Sequence, residues 1–244
     1  MKNIKKILLI TAMTMALGTS AFAASGFEFL LNLSGGINVT IPTKETEDLQ
    51  AKGGLGGFAG LDAQIGYMFQ VKEGFGISVL GELGYSWDDY NYHASGGRNI
   101  VGTFREEGFR MNGYFHNFKV GLLPKFNIGV GNGAIAIGIG GGVKIPLAGS
   151  LIFGYQEWDE TTQKTVVPDA INVNRKDITD YFSPSVIGYM KVTFDYYLFF
   201  TDNIGMNFGF YLGGDFGPKA KNLKVGGDAF DFGLQLGFRF GPKA

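Results

Sequence analysis

The chain has 244 residues, a net charge of −1, 40 glycines, 18% charged residues, 15% aromatic residues and no cysteine. The near-neutral charge does not provide the basic patch that nucleic-acid binding requires. The lack of cysteine excludes disulfides, thiolate metal sites and a cysteine nucleophile. The charged fraction is also lower than the roughly 25% of typical soluble domains.

The N-terminal segment MKNIKKILLITAMTMALGTSAFA has the three parts of a secretory signal peptide. Three lysines in the first six residues precede an apolar run from 7 to 17, and Ala21-Phe22-Ala23 matches an A-x-A cleavage site. The apolar run is shorter than the roughly 20 residues that a membrane-spanning helix needs, which argues against a permanent anchor. We therefore expect residues 1–23 to be removed on export and residues 24–244 to form one domain.

Alternating apolar and polar residues predict β-strands along the rest of the chain, because successive side chains of a strand point to opposite faces. Seven segments follow this pattern, at about 27–41, 55–69, 75–87, 135–147, 182–196, 204–216 and 230–240. The last of them contains FDFGLQLGFRF, in which six large apolar residues alternate with Asp, Gly, Gln, Gly and Arg. Each segment therefore has one apolar face and one polar face.

A further strand, fourth in chain order, is predicted at about Tyr114 to Ile128. Its alternation changes parity above His116, because Phe109 and Met111 fall on the opposite face. A β-bulge near Tyr114 would explain the change, since one extra residue shifts the side chains that follow to the other face.

The apolar faces of these eight strands contain no charged residue. A Lys or Arg at the bilayer midplane costs roughly 2–4 kcal/mol on a lipid-facing barrel position, whereas a soluble sandwich has no such restriction. Aromatic residues concentrate near both ends of the apolar faces, with Phe182 among those at the predicted outer rim, as in interfacial girdles. The sequence therefore predicts an all-β fold, an eight-stranded antiparallel up-and-down transmembrane β-barrel whose apolar face meets lipid.

Connections between the predicted strands alternate in length. Long ones fall near 42–53, 88–108, 149–181 and 217–228, and short ones near 70–74, 129–133 and 201–203. Outer-membrane barrels have short periplasmic turns and long external loops, so both termini are expected on the periplasmic side. A closed barrel would also stabilise an exported chain without disulfides, because it leaves no strand edge unpaired.

With these features the chain resembles the small eight-stranded bacterial outer-membrane proteins of the opacity-protein and outer-membrane-protein-X type. The resemblance is architectural and spans the expected mature chain. Its most specific part is the last strand, similar to the assembly signal read by the barrel-insertion machinery and carried here by Phe230, Phe232, Leu234, Leu236, Phe238 and Phe240. In that family the aromatic residue is usually last, whereas Gly241-Pro242-Lys243-Ala244 follows here.

The resemblance implies a location in the bacterial outer membrane, with outer-membrane lipid and the barrel-insertion machinery as partners. Members of the family differ in function, which includes adhesion, serum resistance, passage of small solutes and lipid modification. The oligomeric state is left open.

The polar faces would bring eleven charged residues into the lumen of the barrel. An eight-stranded barrel has an interior just wide enough for side chains to fill. The charges would therefore either pair into a closed plug or line a narrow path for small or amphipathic solutes. The residues are Glu28, Asp62, Glu82, Lys119, Lys125, Lys144, Lys191, Asp195, Asp215, Asp231 and Arg239.

The third long connection is the candidate partner-binding segment, because loops carry function more often than the strands they join. It starts with strand-like residues, continues through the polar stretch DETTQK and returns with Thr165. It would form either a β-ribbon above the membrane, open to strand addition, or an ordinary solvated loop. The candidate contacts to a host or envelope surface ligand are Tyr155, Trp158, Asp159 and Tyr181.

Catalytic and metal-site patterns are weak. The two histidines are His93, in a predicted loop near Asp88 and Asp89, and His116, on the lipid-facing side of the fourth strand. Neither has the spacing of a catalytic triad or a zinc site, and the acidic residues after Trp158 lack EF-hand spacing. The sequence therefore predicts no catalytic residue, metal or cofactor.

Three functions are compatible with these sequence features. The first is a surface protein with a barrel anchor and contact loops, which the sequence favours. The second is a narrow outer-membrane channel, and the third is a soluble lipocalin-like carrier, which would need the apolar faces to turn inward.

Overall fold

A computed structural model describes residues 25–49, 51–94, 97–100, 103–106, 108–162 and 164–244 of the chain, without the side chains of 93–109, 155, 156 and 158. The expected signal peptide, residues 1–23, lies outside the described residues. In the described part, no helix has the length and apolar character needed to cross a bilayer.

The described chain is mostly β-structure with two short helices, Lys44–Asp48 and Arg175–Tyr181. The strands are β1 (Gly26–Pro42), β2 (Ala51–Gly53), β3 (Leu55–Lys72), β4 (Phe75–Ala94), β5 (Gly97–Ile100), β6 (Thr103–Glu106), β7 (Gly108–Leu122), β8 (Lys125–Val130), β9 (Gly133–Asp159), β10 (Lys164–Val166), β11 (Ile171–Asn174), β12 (Phe182–Ser183), β13 (Ile187–Thr201), β14 (Ile204–Phe216), β15 (Lys219–Ala220) and β16 (Gly227–Phe240).

Eight antiparallel strands form a closed ring, in which β7 and β8 together occupy one position. The ring runs β1, β3, β4, β7 with β8, β9, β13, β14 and β16. Pairing of β16 with β1, from Phe29 opposite Phe240 to Pro42 opposite Gly227, closes it. The predicted eight-stranded up-and-down barrel is confirmed.

The fourth barrel strand is interrupted at Pro124, where the ladder passes from β7 to β8. Proline has no backbone N–H and cannot donate to the ladder. The interruption is bridged, because the Leu123 amide donates to the Leu80 carbonyl at 2.8 Å and the Pro124 carbonyl accepts from Ile139 at 3.1 Å. Both halves therefore keep one register with their neighbours.

The predicted bulge near Tyr114 is absent, and alternation in β7 continues unbroken through that residue. Tyr114 is exposed and Phe115 is buried, and the pairing of β7 with β4 has no shift. The register shifts instead between β7 and β9, where His116 faces Ala148 and Asn117 faces Pro146. The extra residue thus lies in β9, and Met111 near the start of β7 packs against the buried cluster at the barrel mouth.

The apolar faces of the barrel point outward and the polar faces point inward. Leu33 and Leu234 are 62% and 66% exposed, whereas their neighbours Asn32 and Gln235 are 0% and 4% exposed. This orientation is that of a membrane barrel. It rules out the lipocalin-like carrier, which would need the opposite arrangement.

An aromatic cluster lies on the outer surface of β4 and β7, where a girdle is expected. The Tyr85 hydroxyl and His116 Nδ1 lie 2.5 Å apart, and Tyr114 packs against both His116 and Trp87. His116 Nδ1 therefore has a polar partner on an otherwise apolar face. Phe182 does not belong to this girdle: it lies in β12 and packs inward against Phe115, with ring centroids 6.3 Å apart.

The two ends of the barrel differ. The short-turn end has tight turns with Gly74 and Gly131 at φ values of 73° and 56°, a region that glycine adopts readily. The loop end carries regular structure where the sequence predicted long connections. β4 continues to Ala94 and β7 begins at Gly108, with the β5–β6 hairpin between them in the chain, and β9 continues to Asp159.

We predict that a cation on the outward face destabilises the barrel in a bilayer. Leu234→Lys places a charge in the middle of β16, and we expect it to lower the free energy of unfolding in lipid vesicles by about 2–4 kcal/mol. The control is Leu223→Lys, because Leu223 is 55% exposed in the connection between β15 and β16. Equal urea unfolding curves for both variants would contradict the lipid-facing assignment.

Candidate functional site: the barrel interior and its loop-end mouth

Charged residues fill the interior in layers, and the first layer lies at the short-turn end. Arg239 Nη2 lies 2.7 Å from Glu28 Oε2, and Nη1 donates to Asn127 at 3.1 Å. The guanidinium carbon lies 4.4 Å from the centroid of the Tyr197 ring. Arg239 is fully buried, but its charge is paired and stacked on an aromatic face, which offsets the cost of burial.

The second layer is centred on Lys125 and Asp195. Their charged atoms are 2.9 Å apart, and Lys125 also donates to the Tyr197 hydroxyl at 3.1 Å. Asp195 additionally accepts from Thr193 at 3.2 Å and from the Gln235 amide. Side chains from β8, β13 and β16 thus meet across the lumen.

The third layer surrounds Glu82. Its carboxylate lies 2.5 Å from Lys191 Nζ and 3.4 Å from Lys119 Nζ, and accepts from the Tyr189 hydroxyl at 2.9 Å. Lys119 also lies 2.6 Å from Asp62. Two carboxylates and two ammonium groups therefore balance at the centre of the barrel.

The fourth layer lies nearest the loop end and is built on Lys144. Its Nζ lies 2.9 Å from Asp88 and 2.6 Å from Asp215. The Tyr90 hydroxyl donates to Asp215 at 2.7 Å, and the Asn117 amide donates to Asp88 at 2.7 Å. Here two carboxylates share one cation.

Asp231 adds a third carboxylate beside this layer. It is 5% exposed and, among the described residues, has no ion pair, while its Oδ1 has no hydrogen-bond partner. A residual cavity of about 20 Å³ touches Asp231, Asp215 and Lys144. That cavity holds about one water molecule.

An aromatic layer separates the charged interior from the loop-end mouth. Tyr90 and Phe115 are each 4% exposed, with ring centroids 6.1 Å apart. Phe115 in turn packs edge-on against Phe182, and Val173 and Ile187 belong to the same buried cluster. This layer is the floor of a second, larger cavity.

The larger cavity, called the mouth pocket below, has a volume of about 490 Å³. Three successive rows of the sheet line one side of it. The lowest row contains Phe115 and Val173, the next Tyr90 and Leu151, and the highest Tyr92. The opposite wall comes from β12, β15 and the start of β16, and the described lining contains no charged residue.

Beyond the mouth, β9 and β10 form a ribbon. Asp159 at its turn accepts from the Thr162 hydroxyl at 2.7 Å and from the backbone amides of Thr161 and Thr162. These hydrogen bonds, the Thr162 hydroxyl first, lower the pKa of Asp159 because they stabilise its carboxylate. Asp159 therefore stays ionised and fixes the turn.

The structure brings the eleven charged residues predicted for the lumen into the barrel interior, each no more than 7% exposed. The outward-facing residues of the predicted assembly signal, from Phe230 to Phe240, are 43–66% exposed. Of the candidate loop residues with described side chains, Asp159 lies in the ribbon turn and Tyr181 at the rim of the mouth pocket. The side chains of Tyr155 and Trp158 lie outside the described part.

Sequence reasoning missed Asp88 and Tyr90 as interior residues because it assigned residues from 88 onward to a loop. The signal was present, since alternation continues past Trp87 and places Asp88, Tyr90 and Tyr92 on the inward face. No group of three or more His, Cys, Asp or Glu that could hold a metal occurs in the described part of the chain.

Similarity to known proteins is weak. No protein-family model matches the chain, and no curated protein is similar in sequence. Neisserial surface protein A is 8% identical with a TM-score of 0.39, covering 87% of this chain and 96% of that one. The outer membrane protease OmpT of Escherichia coli is 8% identical with a TM-score of 0.44, covering 92% and 99%. Ail, the attachment invasion locus protein of Yersinia pestis, is 10% identical with a TM-score of 0.34, covering 88% and 99%.

At this level of similarity the comparisons support no statement about activity. The assignment of a small eight-stranded membrane barrel rests on the closed ladder and the exposed apolar belt of this chain itself.

We predict opposite effects for two buried aspartates. Asp195→Asn leaves Lys125 without its carboxylate, and we expect it to lower the free energy of unfolding by about 3–5 kcal/mol. Asp231→Asn removes a carboxylate that has no cation partner and lies beside Asp215, so we expect unchanged or increased stability. Urea unfolding of the two variants in the same vesicles tests this. Equal losses would show that Asp231 is paired as tightly as Asp195.

Proposed function

We propose that the protein is a bacterial outer-membrane surface protein, in which the barrel is the anchor and the external segments contact a host or envelope partner. The closed interior is the observation that carries this proposal. Four layers of charged residues linked by ion pairs cross it, and the cavity beside the fourth layer measures about 20 Å³. A hydrated ion or a solute does not fit such a space, so the interior supports an anchor better than a channel.

The orientation follows from the two ends of the barrel. Short turns face the periplasm in outer-membrane barrels, and long segments face outward. The loop end, with the β4–β7–β9 extension and the mouth pocket, would then lie outside the cell. The export signal expected from the sequence at residues 1–23 is consistent with this location.

The ribbon supplies a surface suited to a partner. β10 pairs with β9 on one side and ends the described sheet, so its other edge is open. Val166 and Val167, at and after the end of β10, are 56% and 37% exposed. An open edge beside apolar side chains can accept an added strand, and globular proteins usually protect such edges.

We expect charge at this edge to weaken adherence. Val166→Asp combined with Val167→Asp removes apolar contact and adds repulsion, and should reduce adherence of expressing bacteria to cultured epithelial cells to the level of bacteria without the protein. The measurement is the number of adherent bacteria at equal surface expression.

The control for that experiment is Leu223→Asp, because Leu223 is exposed in a different external segment. It should leave adherence unchanged. If the double variant adheres as well as the unmodified protein, the ribbon is not the contact surface. If bacteria expressing the unmodified protein, the double variant or Leu223→Asp all adhere no better than bacteria that lack the protein, the proposed contact function is wrong.

A further inference from the structure

We propose that the mouth pocket binds an uncharged, hydrocarbon-rich small molecule from the external side. This goes beyond the proposed surface function, since the ribbon edge and the mouth pocket are separate features. A volume of about 490 Å³ lies within the roughly 300–1,000 Å³ of small-molecule sites. The described segments over the barrel mouth, β12 and β15, already form one wall of the pocket. Its volume is therefore what remains after these segments have folded.

The chemistry of the lining selects the class of ligand. Tyr92, Phe115, Leu151, Val173 and Phe182 supply aromatic and aliphatic surface, and the described lining has no charged side chain. A charged ligand group buried there would meet no counter-charge and would lose its hydration. Burial of apolar surface is therefore the main source of affinity.

The floor of the pocket makes it a binding site and not the entrance to a path. The Tyr90 hydroxyl, the polar group nearest the charged interior, donates to Asp215. Phe115 packs beside Tyr90, and Phe182 packs edge-on against Phe115. A ligand entering from the mouth therefore stops at an aromatic layer, above the ionic layer in which Lys144 pairs with Asp88 and Asp215.

The location of the pocket favours a molecule from outside over one from the bilayer core. The Tyr90 row lies three residues beyond the Trp87–His116 row of the aromatic cluster, about 10 Å further along the strands. At the rim, Tyr181 is 66% exposed and Ile171 is 60% exposed. A polar head group of the ligand would remain at this rim in water. The alkyl part could come from a free molecule or from a lipid chain bent upward out of the outer leaflet.

The test uses the folded protein in an amphipathic polymer and the uncharged fluorophore N-phenyl-1-naphthylamine. We expect a saturable rise in fluorescence with the unmodified protein. Gly113→Leu fills the pocket, since a Cβ there would lie 2.9 Å from the movable end of Leu151. Ala220→Phe fills it from the opposite wall, outside the barrel ladder. Both should weaken binding at least about tenfold, because less apolar surface is buried.

The matched control is Gly214→Leu, which adds the same side chain on the barrel wall but outside the pocket, with the nearest atom 3.8 Å from the added Cβ. It should bind like the unmodified protein. Folding of each variant is checked by its gel shift before heating.

Competitors distinguish the sources of the alkyl group. Displacement of the fluorophore by dodecanol alone indicates a free molecule, and displacement by added phosphatidylethanolamine indicates a lipid chain; both uphold an apolar site. Equal fluorescence with the unmodified protein, both filled variants and the control would overturn the proposal, because the fluorophore would then be bound only by polymer or outer barrel surface.

Discussion

The need to pair every backbone N–H and C=O group in lipid determines the rest of this structure. The β1–β16 ladder, from Phe29 opposite Phe240 to Pro42 opposite Gly227, removes the last open edge. Once eight strands close, the interior has room for side chains and little else. Pro124 is tolerated in the ladder because the neighbouring Leu123 amide donates a hydrogen bond to Leu80 and the Pro124 carbonyl accepts one from Ile139.

Closure also decides how the charges behave. A narrow lumen without bulk water would make an unpaired ion costly, and the layers around Arg239, Lys125, Glu82 and Lys144 pair their charges across strands distant in sequence. Asp231 is the exception, beside the small cavity. Above this level the interior changes from ionic to aromatic, so one barrel contains a polar plug and an apolar pocket.

Much of the barrel could be predicted because alternation is a local property of the sequence. Alternation alone predicts that the charged residues point inward and that the apolar side chains of the last strand point outward, without knowledge of which strands pair. It could not give the β9 register shift opposite His116, which depends on how two strands meet. Nor could it give the mouth pocket, because Phe182 and Ala220 reach it only through loops that fold back over the barrel.

The most direct test of the closed interior is single-channel conductance of the folded protein in a planar bilayer, with folding checked by gel shift. The paired layers and the cavity of about 20 Å³ predict a folded protein without discrete conductance steps. Reproducible steps that disappear when Glu82 and Lys119 are both neutralised would contradict the account. They would show that the lumen conducts and favour the narrow-channel function instead.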